Sequence, residues 1–100
     1  MSNVYAENVN EVQSSSTVNT RFTASTSTTA LNPDGNRVMF TVYNEGPADL
    51  YLKCSSDAVT TTNYDFIVPQ GFYLECDWYT GQVNGIFSAA GSAANITEYK

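Results

Sequence analysis

From Thr17 to the C-terminus, short runs of alternating apolar and polar residues are separated by clusters of turn residues, recurring roughly every 8 to 12 positions. The clearest run is 37–43 (RVMFTVY), which puts Val38, Phe40 and Val42 on one face and Arg37, Thr41 and Tyr43 on the other. Residues 72–78 (FYLECDW) repeat the pattern, with Phe72, Leu74, Cys76 and Trp78 inward and Tyr73, Glu75 and Asp77 outward. In 49–54 (DLYLKC), Leu50, Leu52 and Cys54 face in and Tyr51 and Lys53 face out. Weaker strands are expected over 18–25, 28–31, 64–68, 82–89 and 95–100, with Gly85 marking a bulge or a close backbone approach. The turns fall at 32–36 (NPDGN), 44–47 (NEGP), 69–71 (PQG) and Thr80-Gly81, and the small-residue segment 89–94 reads as a turn rather than a short helix. The strands 37–43 and 49–54 are expected to form a hairpin across 44–47. Seven or eight strands suffice for two packed sheets. The fold class is therefore all-β, a small antiparallel β-sandwich of jelly-roll or immunoglobulin-like type.

Residues 1–16 follow a different rule. MSNVYAENVNEVQSSS is polar, with Val4, Tyr5, Val9 and Val12 as its apolar points. Such a segment has too little apolar surface to offset its ordering entropy alone, so it reads as an extended N-terminal arm, either disordered or ordered by docking on a neighbour, with docking the preferred expectation. The domain proper is 17–100. No repeat of 20 to 50 residues is visible, and the Ser/Thr tract 23–29 sits among strands, as an exposed edge or loop would.

Composition agrees with strands. Hydrophobic residues make up 42% and aromatics 13% of the 100 residues, which is enough for one core and favours pleated structure. Ten acidic against four basic residues leave a net charge of −6, and Arg21, Arg37, Lys53 and Lys100 are scattered. Binding to nucleic acid or to an anionic membrane is not expected, because both need clustered cations. No apolar stretch approaches the ~20 residues that span a bilayer. The N-terminus has neither the basic start nor the apolar run of a secretory leader, so synthesis in a cytoplasm is expected. Cys54 and Cys76 fall at inward positions and are expected to be buried free thiols.

Candidate chemistry is sparse. The chain has no His, which removes Ser-His-Asp, Cys-His and His-metal arrangements. Glu75 and Asp77 lie about 7 Å apart on one strand face, and Asp57 and Asp65 are further carboxylates, but alternate outward positions are where solvated acids belong. Asp34-Gly35-Asn36 lacks the additional oxygen ligands of a calcium loop and reads as an ordinary turn. Asn95-Ile96-Thr97 fits a glycosylation sequon that has no leader to make it meaningful. Catalytic, cofactor and metal residues are expected to be none. The outward tyrosines are the remaining candidates: Tyr43, Tyr51, Tyr73, Tyr79 and Tyr99 take the parity opposite to the core, and exposed Tyr is common where surfaces meet. Trp78 shares parity with Phe72 and Leu74, which favours a core role.

The segments RVMFTVYNEGPADLYL, TTNYDFIVPQGFYLE and YTGQVNGIFSAAGSAANITEY, together about two-thirds of the chain, resemble the small head-associated proteins of tailed bacteriophages, including capsid decoration or cement proteins. The resemblance implies a β-sandwich that coats a virion, made in the host cytoplasm. It also implies a trimer over junctions of the major capsid protein or another head protein, with an arm reaching along the shell. The family brings no catalytic residues. The expected function is therefore a non-enzymatic virion structural protein, with interface candidates Val4, Tyr5, Val9, Val12, Tyr43, Tyr51, Tyr73 and Tyr79 read from arm composition and parity. The alternative expectation is a carbohydrate- or receptor-binding module, such as a head fibre or collar component.

Overall fold

The structure is a computed structural model and describes residues 16–100; the arm and its four candidates, Val4, Tyr5, Val9 and Val12, lie outside the described residues. Eight strands and no helix occur among the described residues: β1 (Thr17–Phe22), β2 (Thr28–Leu31), β3 (Met39–Gly46), β4 (Leu50–Lys53), β5 (Phe66–Val68), β6 (Tyr73–Cys76), β7 (Val83–Phe87) and β8 (Ala93–Tyr99). They form two four-stranded antiparallel sheets, ordered β1-β8-β3-β6 and β2-β7-β4-β5. β1 pairs with β8, β2 with β7, β3 with β6 and β4 with β5. The chain thus behaves as one long hairpin closed at β4–β5 and wound into two sheets, with β3–β8 and β4–β7 contacts completing each sheet. That order is the eight-stranded jelly roll, which resolves the choice between jelly-roll and immunoglobulin-like sandwiches.

Alternation in the sequence becomes burial. Phe40, Val42, Leu50, Leu52, Phe87 and Ile96 are almost wholly buried between the sheets, with Phe22, Val68, Cys76 and Val83 around them. Gly85 explains itself here: a Cβ on it would sit 3.0 Å from the Phe22 ring and 3.2 Å from Leu52. It is a close approach. The bulge of this sheet falls instead on β2, between Thr29 and Leu31. Residues 88–92 form the turn into β8, Ala93 and Ala94 already belong to that strand, and no helix forms there.

Three expectations are corrected. The strands around 44–47 are not a hairpin, because β3 and β4 belong to different sheets; period-two patterning places a strand's inner face without choosing its partner. At this crossing Asn44, fully buried, donates from Nδ2 to the carbonyls of Ala48 (2.8 Å) and Val68 (2.7 Å) and accepts from the Gly46 N–H (2.7 Å) at Oδ1. The polar turn is anchored in the core, which steers the chain across. Gly46 has φ of +82°, and a Cβ there would collide with the Gln70 side chain, so the crossing needs glycine at this point.

The second correction is Arg37, placed outward by parity. It precedes the strand, and its side chain is 0% exposed. Nε and Nη2 bind Glu98 Oε2 at 3.0 and 2.9 Å. Nη1 donates to the carbonyls of Tyr79 (3.3 Å) and Gly81 (3.0 Å), Nη2 donates to Asn32 O (2.6 Å), and the guanidinium lies 5.6 Å over the Phe40 ring. One cation therefore ties β8, the β6–β7 loop and the β2–β3 loop together. The third correction concerns Phe72 and Trp78, which are 62% and 65% exposed although parity assigned them to the core. Both lie just outside β6, where alternation no longer binds the chain to the pleat.

Arg37→Met leaves Glu98 buried without its partner, so a loss of about 3–5 kcal/mol in urea unfolding is expected. Arg37→Met combined with Glu98→Met is expected to lose less than the single change, because no orphaned charge remains.

Candidate interaction surface

The four expected interface tyrosines of the folded body do not form one face. Tyr43 and Tyr73 are direct cross-strand partners on the outside of the first sheet, in the row Arg21–Asn95–Tyr43–Tyr73. Both are exposed, at 44% and 56%. Tyr51 lies on the outside of the second sheet, opposite Ile67 and Ile86, with its ring 5.0 Å from Tyr64 in an edge-to-face pair. Tyr79 is half-buried against the core, and its hydroxyl donates to Gln82 O at 2.9 Å. Its role is to fix the β6–β7 loop that supplies two carbonyls to Arg37. Tyr99 is likewise only partly exposed.

A different grouping emerges around one side of the sandwich. β5 and β6 are edge strands of the two sheets, joined by the short turn 69–72. That turn is held by Asn44, whose N–H donates to Phe72 O and whose carbonyl accepts from the Gly71 N–H. Of the seven large hydrophobic residues that the described structure leaves exposed, six lie on or beside these edges: Tyr43, Tyr64, Ile67, Phe72, Tyr73 and Trp78; Val18 is the exception, on the opposite edge. Trp78 packs edge-to-face on Tyr79, with ring centroids 5.7 Å apart. Parity missed this cluster because it asks which face a residue takes, whereas these residues share a side. The available signal was position: Phe72 follows Pro69-Gln70-Gly71 directly and Trp78 sits two residues before Thr80-Gly81, so both flank turns.

Charge is distributed unevenly. All four cations of the chain are held in ion pairs, Arg21 with Glu45, Arg37 with Glu98, Lys53 with Asp65 and Lys100 with Asp34. Asp49, Asp57, Glu75 and Asp77 are left without a cation among the described residues, and the last two stand exposed between Tyr73 and Trp78. The hydrogen bond from Lys100, with another from the Asn36 N–H, holds the Asp34 carboxyl below its usual range, and the same contact raises Lys100.

Cys54 and Cys76 are free, Cys76 buried and Cys54 partly so. Burial, helped by the neighbouring Cys76, pushes the Cys54 thiol up to about 11, which keeps it protonated and a poor nucleophile near neutrality. Among the described residues no group of three or more acidic or thiol side chains could hold a metal. A pocket of about 300 Å³ opens at the far edge, lined by Thr20, Ala30, Leu31, Pro33, Glu98 and Lys100 among others; Glu98 and Lys100 there are already engaged with Arg37 and Asp34. No helix among the described residues is long and apolar enough to cross a membrane.

No protein-family model matches the chain, and neither a curated protein nor a solved structure matches it.

The contrast between the two neighbouring aromatics is testable by urea unfolding. Trp78→Ala is expected to change stability by no more than about 0.5 kcal/mol, as for an exposed side chain. Tyr79→Phe is expected to lose about 1 kcal/mol with the hydroxyl's hydrogen bond.

Proposed function

We propose that this chain is a non-enzymatic virion structural protein, a capsid decoration or cement protein that stabilises a head shell by adhering to it. The observation that carries the reading is the gathering of exposed aromatics along the β5–β6 edge. Exposed apolar side chains gathered on one side of a protein are retained where a partner covers them. The rest of the body supports the same reading. A jelly roll clamped by a buried ion pair is a rigid platform, and the sequence offers no His for nucleophilic or metal chemistry. The resemblance to small phage head proteins supplies the partner class, the major capsid protein or another head protein, and the expectation of a trimer on the capsid surface.

Mechanistically the protein would act by mass action. A molecule that binds only the assembled shell stabilises that state, and many identical weak contacts on a lattice sum to a large effect. The polar arm carrying Val4, Tyr5, Val9 and Val12 adds a second point of attachment in this reading, and Tyr43 and Tyr73 contribute to the edge. Deleting residues 1–14 is expected to leave the melting temperature of the body nearly unchanged while abolishing co-sedimentation with purified capsids. Unchanged capsid occupancy of the truncated protein would refute the arm's role.

A second reading, a carbohydrate- or receptor-binding module of a head fibre or collar, is favoured by one observation: Trp78 is 65% exposed beside Tyr79, as a ring that stacks on a sugar must be. On a glycan array this reading expects a saccharide that binds wild type and is lost in Trp78→Ala. A blank array for the wild-type protein rules it out.

A further inference from the structure

The β5–β6 edge combines three features. The first is apolar: Phe72, Tyr73 and Trp78 are 62%, 56% and 65% exposed, and Ile67 lies on the adjoining edge strand. The second is charge. Glu75 and Asp77 are exposed between those aromatics, and among the described residues no Lys or Arg pairs with them, since Arg21, Arg37, Lys53 and Lys100 are each committed to another carboxylate. The third is backbone. Among the described residues β6 is paired on one side only, by β3, so its other side presents main-chain donors and acceptors to a further strand. The outward side chains of Tyr73 and Glu75 on β6 stand about 7 Å apart, the repeat of an extended chain, and Asp77 follows in the bend just beyond the strand.

We infer that this edge docks an extended, arginine- or lysine-bearing segment of a partner protein, laid along β6 so that its cations meet Glu75 and Asp77 and lie against Tyr73 and Trp78. Charge complementarity selects the occupant. A second copy of this chain would bring the same two carboxylates and a net charge of −6 to the contact, and like charges opposed across a contact are unfavourable. An acidic or neutral partner would leave both carboxylates without counter-charge in a closing interface. A guanidinium answers both features at once, because it pairs with a carboxylate and stacks on an aromatic face, while an extended backbone completes the edge by strand addition. The inference rests on the reading of the chain as an adhesive protein and names the chemistry its partner must carry.

The test uses the full chain and a capped peptide of about eight residues alternating Arg and Val, whose cations repeat at the same ~7 Å. Trp78 is the only Trp in the protein, so its emission reports directly on the edge. A saturable change in Trp78 fluorescence is expected with the Arg-Val peptide, strongly weakened at about 0.5 M NaCl, and absent with a Glu-Val peptide. Glu75→Gln combined with Asp77→Asn is expected to weaken the Arg-Val peptide about tenfold, because two exposed charge contacts and their share of the stacking are lost together. Val18→Ser, on the opposite edge, is expected to bind as wild type. No saturable change with the Arg-Val peptide, equal binding of the Glu-Val peptide, or undiminished binding by the Glu75→Gln/Asp77→Asn protein would each overturn the inference. Capsid co-sedimentation separates it from the broader reading. Full capsid occupancy by that double variant overturns the docking chemistry and leaves decoration standing, whereas a wild-type chain that takes the peptide but never sediments with capsids does the reverse.

Discussion

One buried guanidinium holds the end of this jelly roll at which β3 begins and β8 finishes. Arg37 reaches Glu98 on β8, the carbonyls of Tyr79 and Gly81 in the β6–β7 loop, and Asn32 O in the β2–β3 loop, while resting on Phe40. Its donors meet four acceptor groups from three separate segments, which meets the condition under which a buried charge is tolerated: a counter-charge, plus hydrogen bonds for the remaining protons. Because every partner is a backbone carbonyl or an inward carboxylate, the arrangement specifies how the loops lie as well as holding them. A jelly roll brings strands distant in sequence side by side, and such an arrangement benefits from a directional tie that hydrophobic contact alone does not supply.

Asn44 performs the corresponding task where the chain leaves β3. Its amide bonds Ala48 and Val68, its side-chain oxygen takes the Gly46 N–H, and its own backbone engages Gly71 and Phe72. The result links the crossing between sheets to the β5–β6 turn. The aromatic edge is thus mounted on a buried polar anchor, so Phe72 and Tyr73 are presented by a fixed turn.

The two sides of the sandwich differ in kind. Along β1 and β2 the exposed residues are Thr17, Asn19, Arg21, Thr28 and Thr29, with Val18 as an isolated exposed apolar residue. Along β5 and β6 they are Ile67, Tyr73 and Glu75, with Phe72, Asp77 and Trp78 exposed just beyond the ends of β6. Both of the latter strands are short, three and four residues, which limits indiscriminate pairing at an open edge. The chain's charge reinforces the asymmetry: its four cations are used in internal pairs, leaving part of the negative surplus on the side that also carries the rings.

What the sequence determined by itself was local. Alternation at 37–43, 49–54 and 72–78 located three strands and their inner residues Phe40, Val42, Leu50, Leu52 and Cys76, because a period of two admits a single assignment once one face is buried. Turn residues set the strand count, and the two together specified a small sandwich. Partnership was decided only in three dimensions. That β3 crosses to the other sheet instead of turning back depends on the Asn44 anchor, whose acceptors lie 4 and 24 residues away. Arg37 is buried because Glu98, 61 residues on, waits inside, and no local pattern encodes that distance. The candidate surface divided the same way. Tyr43 and Tyr73 were legible as outward residues, but Tyr51 proved to face the other side of the molecule and Tyr79 to support a loop. Phe72 and Trp78 are exposed although parity placed them inward, because strand ends are released from the pleat, and their shared side exists only once two edges from different sheets are brought together.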